Sequence, residues 1–73
     1  MVRAMAVEIY GKDDCPYTNA ARRAYESKGV EVRYHDVTED AEAMRRFLAL
    51  GHGSRRVPLI VEGERVTQGF GGS

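Results

Sequence analysis

Residues 12–18 read Lys-Asp-Asp-Cys-Pro-Tyr-Thr, "KDDCPYT", and hold the only cysteine of this 73-residue chain. Cys15 stands directly before Pro16. Proline suits the first position of a helix, because the N–H it lacks would have no partner there. Cys15 is then the N-cap of a helix over Pro16–Lys28, in which Tyr17, Ala20, Ala21, Ala24 and Tyr25 fall near helical spacing. Gly29 follows, as a helix C-terminus favours. Upstream, Met5–Tyr10 reads as a mostly buried strand rich in Val, Ile and Tyr, and Gly11–Asp14 reads as a polar loop. The cysteine therefore sits where a strand hands over to a helix.

The same reading extends along the chain. In Val30–Val37, Val30, Val32 and Tyr34 alternate with Glu31, Arg33 and His35, the pattern of a strand with one wetter face. Thr38 is an expected N-cap, with Glu39 and Asp40 near the positive end of the helix dipole. Ala41–Leu50 carries Met44, Phe47 and Leu48 on one face, and Gly51 ends it. His52–Arg56 is a polar loop. Leu59–Val61 and Arg65–Thr67 form a hairpin about Gly63. The order β-α-β-α-β-β predicts a parallel right-handed crossover between the first two strands and an antiparallel hairpin at the end. The result is a single α/β domain over residues 1–73 with a four-stranded mixed sheet and helices packed on it.

Bulk properties bound the function. Eleven basic residues balance eleven acidic ones, so the basic surplus of a nucleic-acid binder is missing. No apolar run approaches the roughly 20 residues that span a membrane. The N-terminus has no long apolar region or cleavage site, so a signal peptide is not expected. With one free cysteine, this favours a reducing cytoplasm. A chain of this length buries only about 60% of its unfolded surface, and one cysteine cannot form an internal disulfide. The glycine-rich "GFGGS" at the end reads as a flexible tail.

A thiol at a helix start meets the positive end of the helix dipole and unpaired N–H groups, and both favour thiolate. Lys12 adds positive charge. Asp13 and Asp14 oppose it unless they face solvent, as expected. Thr18, one turn into the helix, can aim its hydroxyl at the sulfur but cannot form a disulfide. Lone cysteines are often small buried residues, yet this setting favours a partly exposed, working thiol. A second constellation is "GSRRVPLIVEG". Pro58 can simply open a strand. A cis Val57–Pro58 bond would instead set the Val57 backbone beside the thiol, but only about 5–6% of X–Pro bonds are cis. Cys15, His35 and His52 lack zinc-ligand spacing, and no metal is expected.

These residues resemble glutaredoxin, a family of thioredoxin-like fold. "CPYT" is similar to the family's Cys-Pro-Tyr-Cys with its second cysteine replaced, and "RRVPLIVEGERV" to its Val-cis-Pro segment and hairpin. Lys12 matches a basic residue placed shortly before the cysteine. The resemblance runs from about Val7 to Gly69. It implies a thiol–disulfide oxidoreductase of cell redox homeostasis and electron transport, with Cys15 as nucleophile and glutathione as co-substrate. It further implies that Lys12, Tyr17, Arg55 and Val57 line the glutathione groove. The Val57 backbone would pair with the tripeptide, a cis Pro58 would hold that geometry, and Lys12 or Arg55 would meet a carboxylate. Partners are then glutathione or protein thiols and disulfides.

Three departures qualify the likeness. Thr18 leaves only a monothiol route. The family's Gly-Gly-Ser/Cys-Asp-Asp segment reads "GFGGS" here, and Gly69-Phe70 resembles glutaredoxin-like donors served by thioredoxin reductase. The last family helix is absent, which predicts either self-association, such as a homodimer, or Phe70 folding over the open sheet face. "CPYT" and "GFGG" together are most similar to small glutaredoxin-like proteins of the selenoprotein-related UXX-star group. Two other functions stand beside the redox one: an iron–sulfur cluster carrier, against which "CPYT" counts, and a catalytically idle protein-binding module.

Overall fold

The computed structural model describes residues 6–72. The elements run β1 (Ala6–Gly11), α1 (Pro16–Ser27), β2 (Glu31–Asp36), α2 (Ala41–Leu50), β3 (Leu59–Glu62) and β4 (Arg65–Gln68). Met5, the expected start of the first strand, lies outside the described residues. The strands lie in the order β2-β1-β3-β4. β1 pairs with β2 in parallel, and β3 pairs antiparallel with both β1 and β4. The expected four-stranded mixed sheet is the one observed.

Strand alternation sends side chains to opposite faces, and each face carries one helix. Val7, Ile9 and Ile60 pack with Ala21 of α1. Tyr10 and Leu59 pack with Ala43 and Phe47 of α2 and with Val37. Phe47 is 1% exposed, and burial of such a side chain contributes about 1.5–3 kcal/mol. The α1 face is not open. Ile9 is fully buried and Val7 and Ile60 nearly so, because α1 covers them and Phe70 folds back onto the same cluster. The end of the chain is thus no simple tail. Gly69 is buried, and its N–H donates to the Pro58 carbonyl at 2.7 Å.

Two local expectations are corrected. Gly11 belongs to β1 rather than to the loop: its carbonyl accepts from the Val37 N–H at 2.9 Å. The N-cap of α2 is Asp40, not Thr38. The Asp40 carboxylate accepts from the N–H groups of Glu42 and Ala43 at 3.0 and 3.3 Å. Thr38 is occupied one turn earlier, where its hydroxyl donates to Asp36 Oδ1 at 2.6 Å. The turn between β2 and α2 consumes Thr38, so the helix starts two residues later than its hydroxyl suggests.

Asp40→Ala is expected to cost about 1 kcal/mol, a fall in Tm of roughly 4–8 °C for a domain of this size. Thr38→Val is expected to cost less than half of that. Thermal melts followed by circular dichroism check both, and equal losses would return the cap to Thr38.

Candidate redox site

The site begins with a close approach between β1 and α1. A Cβ on Gly11 would lie 2.5 Å from both Cγ2 and Oγ1 of Thr18, far inside van der Waals contact. The bare Cα of Gly11 is what lets Thr18 bury completely. Thr18 and Ala21 are the buried residues of α1, one turn apart on the face toward β1. Their small size draws the helix start against the strand end. Cys15 is the N-cap, in extended conformation, and its carbonyl accepts from the Asn19 N–H at 3.1 Å. The thiol is less open than the sequence suggests, since Cys15 is only 8% exposed.

Burial pushes the Cys15 thiol pKa up. The Thr18 hydroxyl, the N–H groups of Thr18 and Tyr17, and the Lys12 charge outweigh it, and together hold the thiol below its ordinary value. Two observations on the Thr18 hydroxyl pull apart. It favours the thiolate, yet Oγ1 is buried and makes no hydrogen bond. A neutral thiol is a weak acceptor and a thiolate a strong one.

The acidic pair before the cysteine is divided. Asp13 Oδ1 accepts from the Tyr34 hydroxyl on β2 at 2.8 Å, and its carbonyl accepts from Asn19 Nδ2 at 2.9 Å. Arg22 lies 3.9 Å over the Tyr34 ring. Burial and the Asp13 carboxylate push the Tyr34 phenol well above its ordinary range. Asp13 was expected simply to face solvent; although exposed, it is bound to β2. Tyr34 and Gly11 shape the candidate site, and the sequence pattern did not single them out. The glycine closing the strand just before the cysteine loop was the available signal for one. The Asp13–Tyr34 pair spans 21 residues and had no local signal.

The second constellation reaches the same end of the sheet. β1 and β3 pair as Val7↔Glu62 through Tyr10↔Leu59. Continued by one residue, that register sets Pro58 opposite Gly11, at the mouth of the cysteine loop. The Val57–Pro58 bond is cis. Pro58 is buried and Val57 half-buried. Tyr17 projects outward, 42% exposed, and does not join the apolar face of α1 expected for it. Lys12 and Arg55 are exposed, with Arg55 Nη1 3.9 Å from Met44 Sδ on α2. His35 has a structural setting: it stacks on Tyr10 at 4.6 Å and meets Glu8 Oε1 at 3.1 Å. Among the described residues, no three histidine, cysteine or acidic side chains group as a metal site.

A parallel crossover that opens with a Cys-Pro helix start, facing a cis-proline strand start, defines a thioredoxin-like redox protein. The glutaredoxin family model matches residues 7–66, and the chain belongs to the glutaredoxin family of thiol–disulfide oxidoreductases. It is 32% identical over 69 residues to the glutaredoxin-like protein NrdH of Escherichia coli K12, an alignment spanning 90% of this chain and 79% of that protein. The solved structure of Escherichia coli NrdH-redoxin, described as having a thioredoxin-like activity profile, superposes with a TM-score of 0.78 at 30% identity. That match covers 90% of this chain and 84% of the other. A glutaredoxin of Archaeoglobus fulgidus shares the fold, with a TM-score of 0.75 at 22% identity over 88% and 74% of the two chains. The narrower likeness to the selenoprotein-related group rests on the motifs "CPYT" and "GFGG" alone.

Two substitutions are expected to raise the Cys15 pKa by separate routes. Thr18→Val removes the hydroxyl that favours the thiolate. Tyr34→Phe releases the Asp13 carboxylate to approach the sulfur. In each case the thiolate absorbance should rise at higher pH than in wild type. An unmoved midpoint in Tyr34→Phe would show that Asp13 has no bearing on the thiol.

Proposed function

We propose that this protein is a monothiol thiol–disulfide oxidoreductase in which Cys15 is the nucleophile and an outside thiol, glutathione first among them, completes the cycle. The observation that carries the proposal is a thiol held below its ordinary pKa beside a residue, Thr18, that cannot bridge it. The Cys15 thiolate attacks one sulfur of a glutathione mixed disulfide. A Cys15–glutathione disulfide forms, and the substrate leaves as a thiolate that takes a proton from water. A second glutathione thiolate then attacks the glutathione sulfur of that disulfide. Oxidised glutathione leaves, and Cys15 returns as thiolate. The net exchange converts the mixed disulfide and one glutathione thiol into the substrate thiol and oxidised glutathione, with one disulfide broken and one formed. A low thiol pKa serves both halves, since Cys15 is attacker in one and leaving group in the other.

In this reading Val57 offers its backbone to the substrate, Pro58 holds the turn, and Tyr17 gives an exposed aromatic wall. Lys12 and Arg55 meet carboxylate. Thr18 supports the thiolate by hydrogen bonding. The single free cysteine suits a reducing compartment such as the cytoplasm. A second reading of the electron donor has support of its own. Gly69-Phe70 resembles donors served by thioredoxin reductase, and the solved relative has a thioredoxin-like activity profile. There a reductase dithiol, not glutathione, would release the Cys15 adduct. The depressed thiol pKa speaks against an idle module. Cluster carriage would show itself as visible absorption after anaerobic purification. Closure of the α1 face by Phe70 removes the reason for expecting a homodimer.

Intact mass after exposure to oxidised glutathione tests the proposal. Wild type should gain one glutathionyl group, stable until thiol is added. Thr18→Cys should expel it and close an internal disulfide, because positions 15 and 18 face each other across one turn. Release of the wild-type adduct by glutathione supports the first donor, and release only by a thioredoxin reductase system supports the second. The exchange rate should rise with pH through the Cys15 midpoint, which Thr18, the helix-start N–H groups and Lys12 hold below that of an ordinary thiol. A protein that takes up no glutathionyl group, or a variant that keeps it as firmly as wild type, would falsify the monothiol mechanism.

A further inference from the structure

Gln68 is the last residue of β4, opposite Leu59, and its side chain points to the α2 face. Its Nε2 donates to the Arg56 carbonyl at 2.8 Å and lies 3.4 Å from the Ser54 carbonyl. Two carbonyls facing one end of the carboxamide settle which end is nitrogen. Room for that group comes from Gly51, the C-cap of α2. A Cβ there would lie 3.0 Å from Nε2 and 3.3 Å from Oε1. A single side chain thus ties the end of the sheet to the loop that leads into the cis-proline.

What the tie controls follows from the peptide unit. The Arg56 carbonyl and the Val57 N–H belong to one planar group. This bond is trans, the cis bond being the next one, so oxygen and hydrogen point in opposite directions. Anchoring the oxygen therefore fixes where the N–H points. Among the described residues the Val57 N–H donates to no protein acceptor. One residue further, Pro58 is held by the Gly69 N–H at 2.7 Å. The donor at Val57 is held from both sides and left unspent.

We infer that Gln68 is a positioning residue, which by holding the Arg56 carbonyl aims the Val57 N–H at the backbone of a disulfide substrate engaged at Cys15. The inference rests on the proposed function for its substrate, but its structural half stands apart from turnover. Gln68 touches no reacting atom. It prepays the ordering of a recognition loop, which a flexible loop would pay on binding.

Gln68→Met keeps length and loses both donors. Gly51→Ala leaves the glutamine in place and pushes its carboxamide aside. In each variant, ¹⁵N relaxation should show the Val57 amide order parameter falling from the rigid value of about 0.85 toward about 0.6, with residues 12–19 unchanged. With a glutathionylated peptide as substrate, KM should rise on the order of 5- to 10-fold, with kcat and the Cys15 midpoint unmoved, the signature of lost binding rather than lost chemistry. A merely structural lesion would instead lower kcat or shift the thiol midpoint, and either result overturns the role. An unchanged Val57 order parameter in folded Gln68→Met overturns it whatever the kinetics. If wild type itself shows no turnover, the proposed function fails, and the relaxation measurement alone still decides the clamp. Should Gln68→Met fail to fold by circular dichroism, Gly51→Ala carries the same comparison.

Discussion

The contact on which the site depends is the one between Thr18 and the backbone of Gly11. A strand end and a helix start can approach this closely only where the strand contributes no Cβ and the helix contributes small side chains. Thr18 and Ala21 meet that demand on adjacent turns. With α1 seated this way, its N-terminus lies over the end of β1, and Cys15, as N-cap, is set at the sheet's active end. Any β-carbon at position 11 would lever the helix away and move the sulfur with it. The geometry of the thiol is therefore a consequence of packing two elements, not of the loop that carries it.

The chemistry of that thiol is a balance in which each contribution has a place in the fold. Burial alone would raise its pKa, and 8% exposure is far from a free solvent thiol. The helix start supplies N–H groups, Thr18 supplies a hydroxyl, and Lys12 supplies charge. Tyr34 engages the carboxylate of Asp13, two residues before the cysteine. The same residue that seals α1 against β1 also supports the ionised sulfur, and it stands where a dithiol protein would place its second sulfur. Thr18 thus trades an internal resolving group for a hydrogen-bond donor. Under the proposed monothiol mechanism, that trade replaces a dithiol cycle while leaving the fold unaltered.

In the proposed mechanism, recognition falls to the opposite side of the same mouth. A cis proline turns the chain just before β3, and Gln68, the last residue of β4, and Gly69 just beyond it hold the carbonyls around it. Backbone recognition asks for a strand-like edge whose donors are oriented but unspent. Hydrogen bonds to the neighbouring carbonyls provide this without occupying the donor itself. The thiol and the recognition edge come from sequence segments about forty residues apart, joined by the β1–β3 pairing.

Local chemistry made much of the protein legible. Pro16 after Cys15 placed the helix start, because proline's missing N–H costs nothing there. The alternation in β2, the glycines at 29 and 63 and the short apolar run at 59–61 placed the remaining strands and turns, because side-chain period and backbone freedom are properties of neighbouring residues. The likeness of "CPYT" and "RRVPLIV" to known motifs supplied the class. What only the tertiary structure decided were contacts between residues distant in the chain. Asp13 reaches Tyr34, Thr18 fills the space that Gly11 leaves, Phe70 covers the α1 face, and Gln68 grips the loop before Pro58. Thr38 lost the capping role to Asp40 because the turn from β2 had already engaged its hydroxyl. A short polar side chain has several partners open to it in a sequence, and only packing selects among them.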